Sequence, residues 1–154
     1  MDKELNEADK QVLSDIEQYG FHVVHVIEDD AGPGFSFSVG LYHSYKHPEI
    51  IILGLTQDLA HTIINNIVLD IQDGKQFDAF TFSDDILNNY QTYFLPVDKA
   101  NYRSYLGYAN WYYKNNDFPV LQLLYPNSKG IFSWEENCPD AFKYLQPILG
   151  PVNK

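Results

Sequence analysis

In the stretch Phe35-Ser-Phe-Ser-Val-Gly-Leu41, bulky apolar side chains alternate strictly with serine and glycine. A period of two is typical of a β-strand with one buried face, because successive side chains point to opposite sides of the sheet. The other face, formed by Ser36, Ser38 and Gly40, carries almost no bulk and would let a flat ligand or another backbone lie close to the strand. A packed helix or a layer of water would also fit this face.

Two helices are predicted in the first half of the chain. The first covers residues 7–19, where Asn6 can cap the N-terminus and Gly20 ends the helix. The second is capped by Thr56 and closed by Gly74, and its apolar residues recur at spacings of three and four. We therefore expect one buried stripe on the second helix, which includes Leu59, Ile63, Ile67 and Ile71.

The remaining segments are predicted from composition and turn residues. Strands are expected at residues 21–27, 49–55, 77–82, 91–97 and 118–125, a third helix at 99–114 and a short helical piece at 141–145. Residues 42–48 are predicted to be a link, and residues 83–89 fit either one helical turn or a loop. This order predicts one α+β domain over residues 1–154, with a mixed, largely antiparallel sheet curled into a split-barrel-like core and about three helices packed on it.

The charge balance limits the classes of partner. The 154 residues include 21 acidic and 10 basic side chains, for a formal net charge of −11. Nucleic acids and anionic membranes require clustered Lys and Arg, so we expect neither as a partner, whereas a basic protein fits the charge. With a single cysteine, Cys138, and no apolar segment at its start, the chain is expected to be cytoplasmic.

The histidines do not predict a metal site. His22 and His25 are three residues apart on a strand, so their side chains point to opposite faces. His43 and His47 would share a face only on a helix, and the position before Pro48 disfavours helical dihedral angles. We therefore expect no bound metal. A hydrolase that uses His43 or His47 as a base remains a third hypothesis.

Other polar residues carry weaker indications. Cys138 follows Glu135 and Glu136 in the sequence, and neighbouring carboxylates disfavour the thiolate that a nucleophilic role requires. Arg103 lies on the tyrosine-rich third helix and is a candidate for an anion subsite or for a surface ion pair.

Aromatic residues are unusually frequent, with twelve Tyr, ten Phe and two Trp. Tyr and Trp anchor many protein interfaces, because each offers a large apolar area with a polar tip and few rotatable bonds. The candidates for a recognition surface are Tyr108, Trp111, Tyr125 and Trp134. A tyrosine-rich core edge would explain the same residues.

Several motifs resemble the bacterial domain-of-unknown-function 4262 family. They are Gly34-Phe-Ser-Phe-Ser-Val-Gly-Leu41, His47-Pro-Glu-Ile-Ile-Ile-Leu-Gly-Leu55, Phe94-Leu-Pro-Val97, Val120-Leu-Gln-Leu-Leu-Tyr-Pro126 and Gly130-Ile-Phe-Ser-Trp-Glu135. The resemblance covers about residues 9–136 and implies no particular chemistry. This chain departs from the family pattern, since Tyr125-Pro-Asn127 stands where relatives usually have Trp-Pro-Asp, and Phe132-Ser-Trp134 where they have Phe-Pro-Trp.

A second resemblance covers only residues 35–55, which are similar to the serine- and threonine-lined strands of flavin-reductase split barrels. It implies that Ser36, Ser38 and Gly40 would line a flavin or nucleotide. His43, His47 and Arg103 are further candidates for ligand binding. A flavin phosphate normally binds two or more basic residues, and here the nearest candidates are Lys46 and Arg103.

Besides the hydrolase hypothesis, this reasoning leaves two leading functions. The first is a non-enzymatic, acidic protein-binding module of the kind that neutralises a toxin or another basic protein, without a cofactor. The alternative is a flavin- or nucleotide-binding split barrel that acts as a reductase.

Overall fold

The computed structural model describes residues 5–154. Its helices and strands follow one another in the order α1 (Glu7–Tyr19), β1 (His22–Val26), β2 (Phe35–Val39), α2 (Leu41–Tyr45), β3 (Glu49–Leu53), α3 (Gln57–Gln72), β4 (Thr81–Leu87), β5 (Tyr90–Pro96), a 3₁₀ turn (Lys99–Asn101), α4 (Tyr102–Tyr105), α5 (Gly107–Tyr113), β6 (Val120–Leu124) and α6 (Asp140–Leu145).

Six strands form a single sheet in the order β1-β2-β3-β6-β5-β4. Only β3 and β6 pair in parallel, and the other neighbours are antiparallel. The prediction of an α+β fold with a mixed, largely antiparallel sheet is therefore confirmed. Within the described residues the sheet is open, with β1 and β4 at its edges, so it does not close into a barrel.

Helices cover both faces of the sheet. On one face, α3 packs against a cluster that includes Ile50 and Ile52 of β3 and Leu121 and Leu123 of β6. On the other face, α1, α4 and α5 pack against residues that alternate with these, including Ile51 of β3. Because both faces are covered, β3 and β6 are apolar along nearly their whole length and fully buried.

The buried stripe of α3 was predicted correctly except at its first residue. Ala60, Ile63, Ile64, Ile67, Val68 and Ile71 are buried, whereas Leu59 is 44% exposed. Each helical residue is rotated by about 100° from the one before it, which places Leu59 about 110° from the middle of this stripe. The spacing of four from Leu59 to Ile63 was therefore misleading.

The predicted helix at residues 99–114 is wrong as a single element. The chain forms a 3₁₀ turn, then α4 and α5, with a break at Leu106, where φ is −118° and ψ is 41°. The next residue is Gly107, which has a low helix propensity. With α2, which lies inside the predicted link of residues 42–48, these pieces bring the described helices to six, not about three.

The strand predicted at residues 77–82 begins later, at Thr81, and extends to Leu87. It therefore includes most of residues 83–89, for which the sequence predicts one helical turn or a loop. Ser83, Asp84 and Asp85 resemble turn residues in composition. They are tolerated in a strand here because β4 is an edge strand with much of its surface exposed.

Among residues 5–154, the helices are all too short or too polar to traverse a lipid bilayer.

Candidate functional site

A fully buried carboxylate lies where β2, α2 and β3 meet. Glu49 is the first residue of β3, and its side chain is inaccessible to solvent. Its Oε1 accepts hydrogen bonds from Ser38 Oγ at 2.7 Å and from the backbone N–H of Leu41 at 3.1 Å. Ser38 Oγ in turn accepts the backbone N–H of Ile50 at 2.9 Å, so this serine joins β2 to β3.

The second oxygen of Glu49 accepts three further hydrogen bonds. The donors are the backbone N–H of Gly40 at 3.0 Å, that of Tyr42 at 3.2 Å, and the hydroxyl of Tyr113 from α5. Glu49 and its five donors form what we call the Glu49 cluster. The cluster connects β2, α2, β3 and α5 through one carboxylate.

The electrostatics of Glu49 combine two opposing effects. Burial raises the pKa of Glu49, whereas the hydrogen bonds from Tyr113, Ser38 and the backbone stabilise the ionised form and oppose that shift. Burial and the charge of Glu49 together raise the pKa of Tyr113, which keeps its phenol protonated as a donor. Since five donors occupy both oxygens, the carboxylate supports the fold and has no lone pair directed at a substrate.

Gly40 is needed in this cluster for its backbone conformation. Its φ is +111°, and a Cβ at this position would lie 2.9 Å from the carbonyl oxygen of Gly20. Glycine adopts this conformation without steric cost. Gly40 thus turns the chain from β2 into α2, and its expected role in lining a ligand stays a prediction.

The serine face of β2 is covered. Ser36 and Ser38 are 2% and 0% exposed, because α3 packs on this side of the strand. Ser36 Oγ lies 2.6 Å from His25 Nδ1 on β1. The flavin hypothesis assumed an open surface at these serines, whereas both side chains are buried and Ser36 only borders a hollow of about 290 Å³.

The structure does not bring His43 and His47 together. His43 is exposed on α2, with its ring edge-on to Tyr112. His47 is buried, its Nδ1–H donates to the carbonyl of Pro48, and its Nε2 accepts the backbone N–H of Phe77 at 2.9 Å. Burial lowers the pKa of His47. Both of its ring nitrogens therefore bind backbone, which leaves it no free nitrogen to act as a general base.

Arg103 is exposed on α4, and none of the ion pairs among residues 5–154 involves it. It lies outside the Glu49 cluster. Its predicted role in an anion subsite stays a prediction.

The four predicted recognition aromatics separate into three environments. Tyr125 is buried and its hydroxyl donates to the carbonyl of Leu53 at 2.8 Å, so a role in surface recognition is wrong for it. Tyr108 and Trp111 are half-buried, pack edge-to-face at 5.6 Å, and cover the core beside α1. Trp134 lies elsewhere, beside the edge strand β4.

Trp134 belongs to a compact group of aromatic rings that we call the edge patch: Phe82, Tyr93, Phe132 and Trp134. The indole stacks on Phe132 with centroids 4.3 Å apart and rings 15° from parallel. The ring centroids of Phe82 and Tyr93 are 4.6 Å apart, yet 54% of the surface of Phe82 is exposed. A hollow of about 370 Å³ opens here, lined by Phe82, Tyr93, Trp134, Val152 and Asn153.

Acidic side chains lie on the same strand as Phe82. Asp84 and Asp85 of β4 are both exposed. Asp85 accepts a hydrogen bond from Lys75 Nζ at 2.6 Å, which lowers the pKa of Asp85, whereas Asp84 has no partner among the described ion pairs. The edge patch therefore places one exposed aromatic ring, Phe82, on the same strand as a carboxylate without an ion-pair partner among the described residues.

Sequence reasoning missed Glu49, Tyr113 and the contact of His25 with His61, whose ring nitrogens Nε2 and Nδ1 are 3.3 Å apart. One signal was present for Glu49, since a carboxylate that begins an otherwise apolar strand requires buried donors. No sequence pattern could indicate the contact between the two histidines, because 36 residues separate them.

Comparisons with known proteins support a family and no activity. No curated protein and no solved structure matches the chain. Asn127 caps its own turn by accepting the backbone N–H groups of Lys129 and Ile131. The sequence model described as "Domain of unknown function (DUF4262)" matches residues 15–139, most of the chain, and the protein therefore belongs to the DUF4262 family.

Proposed function

We propose that this protein is a non-enzymatic binding domain that recognises a basic segment of a partner protein through the edge patch. Partners of this kind include toxins that an acidic protein neutralises. The observation that carries the proposal is the exposure of Phe82 within a packed group of aromatic rings, beside acidic residues on an edge strand that pairs on one side only within the described residues.

The packing of the edge patch favours recognition. Phe132 lies beneath Trp134, and Tyr93 is held by a hydrogen bond from its hydroxyl to the carbonyl of Val152 at 2.6 Å. Rings fixed in this way lose little conformational entropy when a partner binds. Lys and Arg are also attracted to the faces of Trp and Phe rings, more strongly where water is excluded.

The charge of the protein favours a basic partner over a neutral or acidic one. A net charge of −11 attracts cationic segments at long range and raises their rate of association at low salt. At the patch itself, Asp84 offers a carboxylate that a Lys or Arg side chain can approach without displacing an existing ion pair.

The position of β4 offers backbone groups as well. Within the described residues β4 pairs only with β5, so its outer edge is open. An extended peptide can add to such an edge through main-chain hydrogen bonds, with its side chains reaching the adjacent pockets. An extended basic segment would place side chains near Phe82 and Asp84.

The proposed setting is the cytoplasm, where a lone thiol such as Cys138 stays reduced. Cys138 is buried, with its Sγ 3.4 Å from the carbonyl of Pro139. It takes no part in the proposed function.

The test is peptide binding to the purified protein. Extended Lys/Arg-rich decapeptides and matched Asp/Glu-rich decapeptides are titrated while tryptophan fluorescence is recorded, at low and at physiological salt. We expect the basic peptides alone to bind, more weakly as salt rises, and to change the emission of Trp134. The variant Phe82→Ala should lose this binding, whereas the control Tyr144→Ala, which removes a similarly exposed ring from α6, should keep it.

Two results would overturn the proposal. The first is basic-peptide binding that is equal in Phe82→Ala and in the unsubstituted protein, because it would place the interaction elsewhere. The second is a yellow purified protein whose thermal unfolding shifts with flavin mononucleotide, which would support the reductase alternative instead.

A further inference from the structure

Two histidines that are distant in sequence meet beside the edge strand β1. His25 of β1 and His61 of α3 place Nε2 and Nδ1 3.3 Å apart, and their ring centroids are separated by 5.4 Å. His61 is exposed and His25 is partly exposed, so a small solute can reach both rings.

The separation of these nitrogens matches the geometry of a zinc site. In a tetrahedral site each Zn–N bond is about 2.05 Å, which places two imidazole nitrogens about 3.3 Å from each other. A hydrogen bond between the two rings would use a similar distance, and the experiment below separates the two interpretations.

A neighbouring hydroxyl orients one of the rings. Ser36 Oγ lies 2.6 Å from His25 Nδ1, and Ser36 is buried on β2. When Nδ1–H donates to this hydroxyl, Nε2 keeps its lone pair and faces His61. Histidines that bind metals are commonly oriented by such a partner on the second ring nitrogen.

We propose that His25 and His61 form a two-nitrogen binding site for a transition-metal ion of the Zn²⁺ class. Among residues 5–154 no group of three or more His, Cys, Asp or Glu side chains has metal-binding geometry, so water completes the coordination. Imidazole ligands select Zn²⁺, Cu²⁺ and Ni²⁺ over Mg²⁺ and Ca²⁺, which prefer oxygen. The site lies apart from the edge patch and does not depend on the proposed function.

The surrounding charges are mixed. Burial, His61 and His22 lower the pKa of His25, whereas Asp58, one turn before His61 on α3, raises it. The overall charge of −11 adds a general attraction for a divalent cation.

The test uses untagged protein that has been freed of metal with a chelator. Zn²⁺, and separately Mg²⁺, is titrated by calorimetry, and the thermal midpoint is recorded with each ion. We expect Zn²⁺ to bind one site and to raise the midpoint, because it links β1 to α3 in the folded state, and Mg²⁺ to do neither.

Three variants decide the assignment. Loss of a residue that only orients a metal ligand typically weakens metal binding about 10- to 100-fold. His25→Gln and His61→Gln each remove a ligand itself, so each should weaken Zn²⁺ binding by more than that. His43→Gln, which replaces an exposed histidine on α2, should bind Zn²⁺ as the unsubstituted protein does. Because His61 is exposed, its variant should fold normally.

The proposal is overturned if His61→Gln binds Zn²⁺ as tightly as the unsubstituted protein, or if Zn²⁺ does not bind. Binding of Co²⁺ offers an independent readout, since tetrahedral coordination would give strong visible absorption that His61→Gln should abolish. Absorption that persists in His61→Gln would place the ion elsewhere and count against the site.

Discussion

The Glu49 cluster and the edge patch differ in whether their side chains find, within the chain, the partners that their chemistry requires. Glu49 is a charged residue with no exposed surface and five hydrogen-bond donors. Phe82 is an apolar residue with 54% of its surface exposed. Glutamate is usually exposed and phenylalanine usually buried, so each residue is in the less common environment for its type. Glu49 finds all its hydrogen-bond donors within the chain, whereas Phe82 lacks a full apolar covering.

This difference separates architecture from recognition. A buried charge is tolerated only when its partners are complete, so the Glu49 cluster is complete by necessity. The exposed ring of Phe82 has no such covering among the described residues, and exposed apolar groups beside a packed aromatic cluster commonly mark interaction sites. Mutations at the two places should therefore have opposite consequences for stability and for binding.

The largest loss of stability is expected for Glu49→Ala. This change leaves the hydroxyls of Ser38 and Tyr113 and three backbone N–H groups without their acceptor in the interior. Leaving a buried donor without its acceptor costs about 1–3 kcal/mol of unfolding free energy for each donor, so the total loss should be several kcal/mol. Urea denaturation followed by circular dichroism measures the loss, with Glu136→Ala, at an exposed carboxylate, as the control. A similar small loss in both variants would contradict a structural role for the cluster.

A smaller but clear loss is expected in the apolar core of α3. Ile67 is 1% exposed, so Ile67→Ala should cost about 2–5 kcal/mol through lost burial and a residual cavity. Leu59→Ala removes a side chain from the same helix that is 44% exposed, and should cost much less. Equal losses of unfolding free energy for Ile67→Ala and Leu59→Ala in denaturant titrations would contradict the assignment of Ile67 to the buried stripe.

The buried His47 predicts how stability depends on pH. Its folded-state pKa is lowered below the ordinary value of 6.5, so the unfolded chain takes up a proton before the folded chain does. Unfolding free energy should therefore fall as the pH drops below about 6.5, by at most about 1.4 kcal/mol per pH unit from this group. Above that range His47 should contribute no slope.

The variant His47→Gln isolates this effect from that of His25, whose pKa is also lowered. Its stability should fall less steeply with decreasing pH than that of the unsubstituted protein. Parallel pH profiles for the two proteins would assign the slope to other groups. His43→Gln, at an exposed histidine, serves as the control.

The smallest effect on stability is expected at the edge patch. Phe82→Ala removes an exposed ring and should change unfolding free energy by only about 0.5 kcal/mol, as is usual for surface substitutions. The same variant should lose basic-peptide binding. A loss of several kcal/mol would instead identify Phe82 as part of the core and would remove the contrast with Glu49.

Local pattern predicted much of the fold. The alternation in residues 35–41, the cap at Asn6 and the stripe of α3 each describe contacts between neighbours in sequence, and the corresponding elements are present. The errors occurred where context overrides local preference. Leu106 interrupts an otherwise helical pattern, and the polar residues of β4 form a strand only because an edge position leaves them in water.

The candidate sites were less predictable. Trp134 was identified from composition, but its partner Phe82 was not, because only the pairing of β4 with β5 brings Phe82 beside Tyr93. Tyr125 was assigned to the surface because a hydroxyl does not indicate burial by itself. The acceptor for that hydroxyl is the carbonyl of Leu53, 72 residues away.

The sequence by itself determined the α+β class, most of the elements and the acidic character, since periodicity, capping and charge depend on residue type and short spacing. Only the tertiary structure decided which polar groups meet. Glu49 with Tyr113, His25 with His61 and Phe82 with Trp134 are brought together by strand order and helix packing, and their chemistry follows from distances that no local pattern encodes.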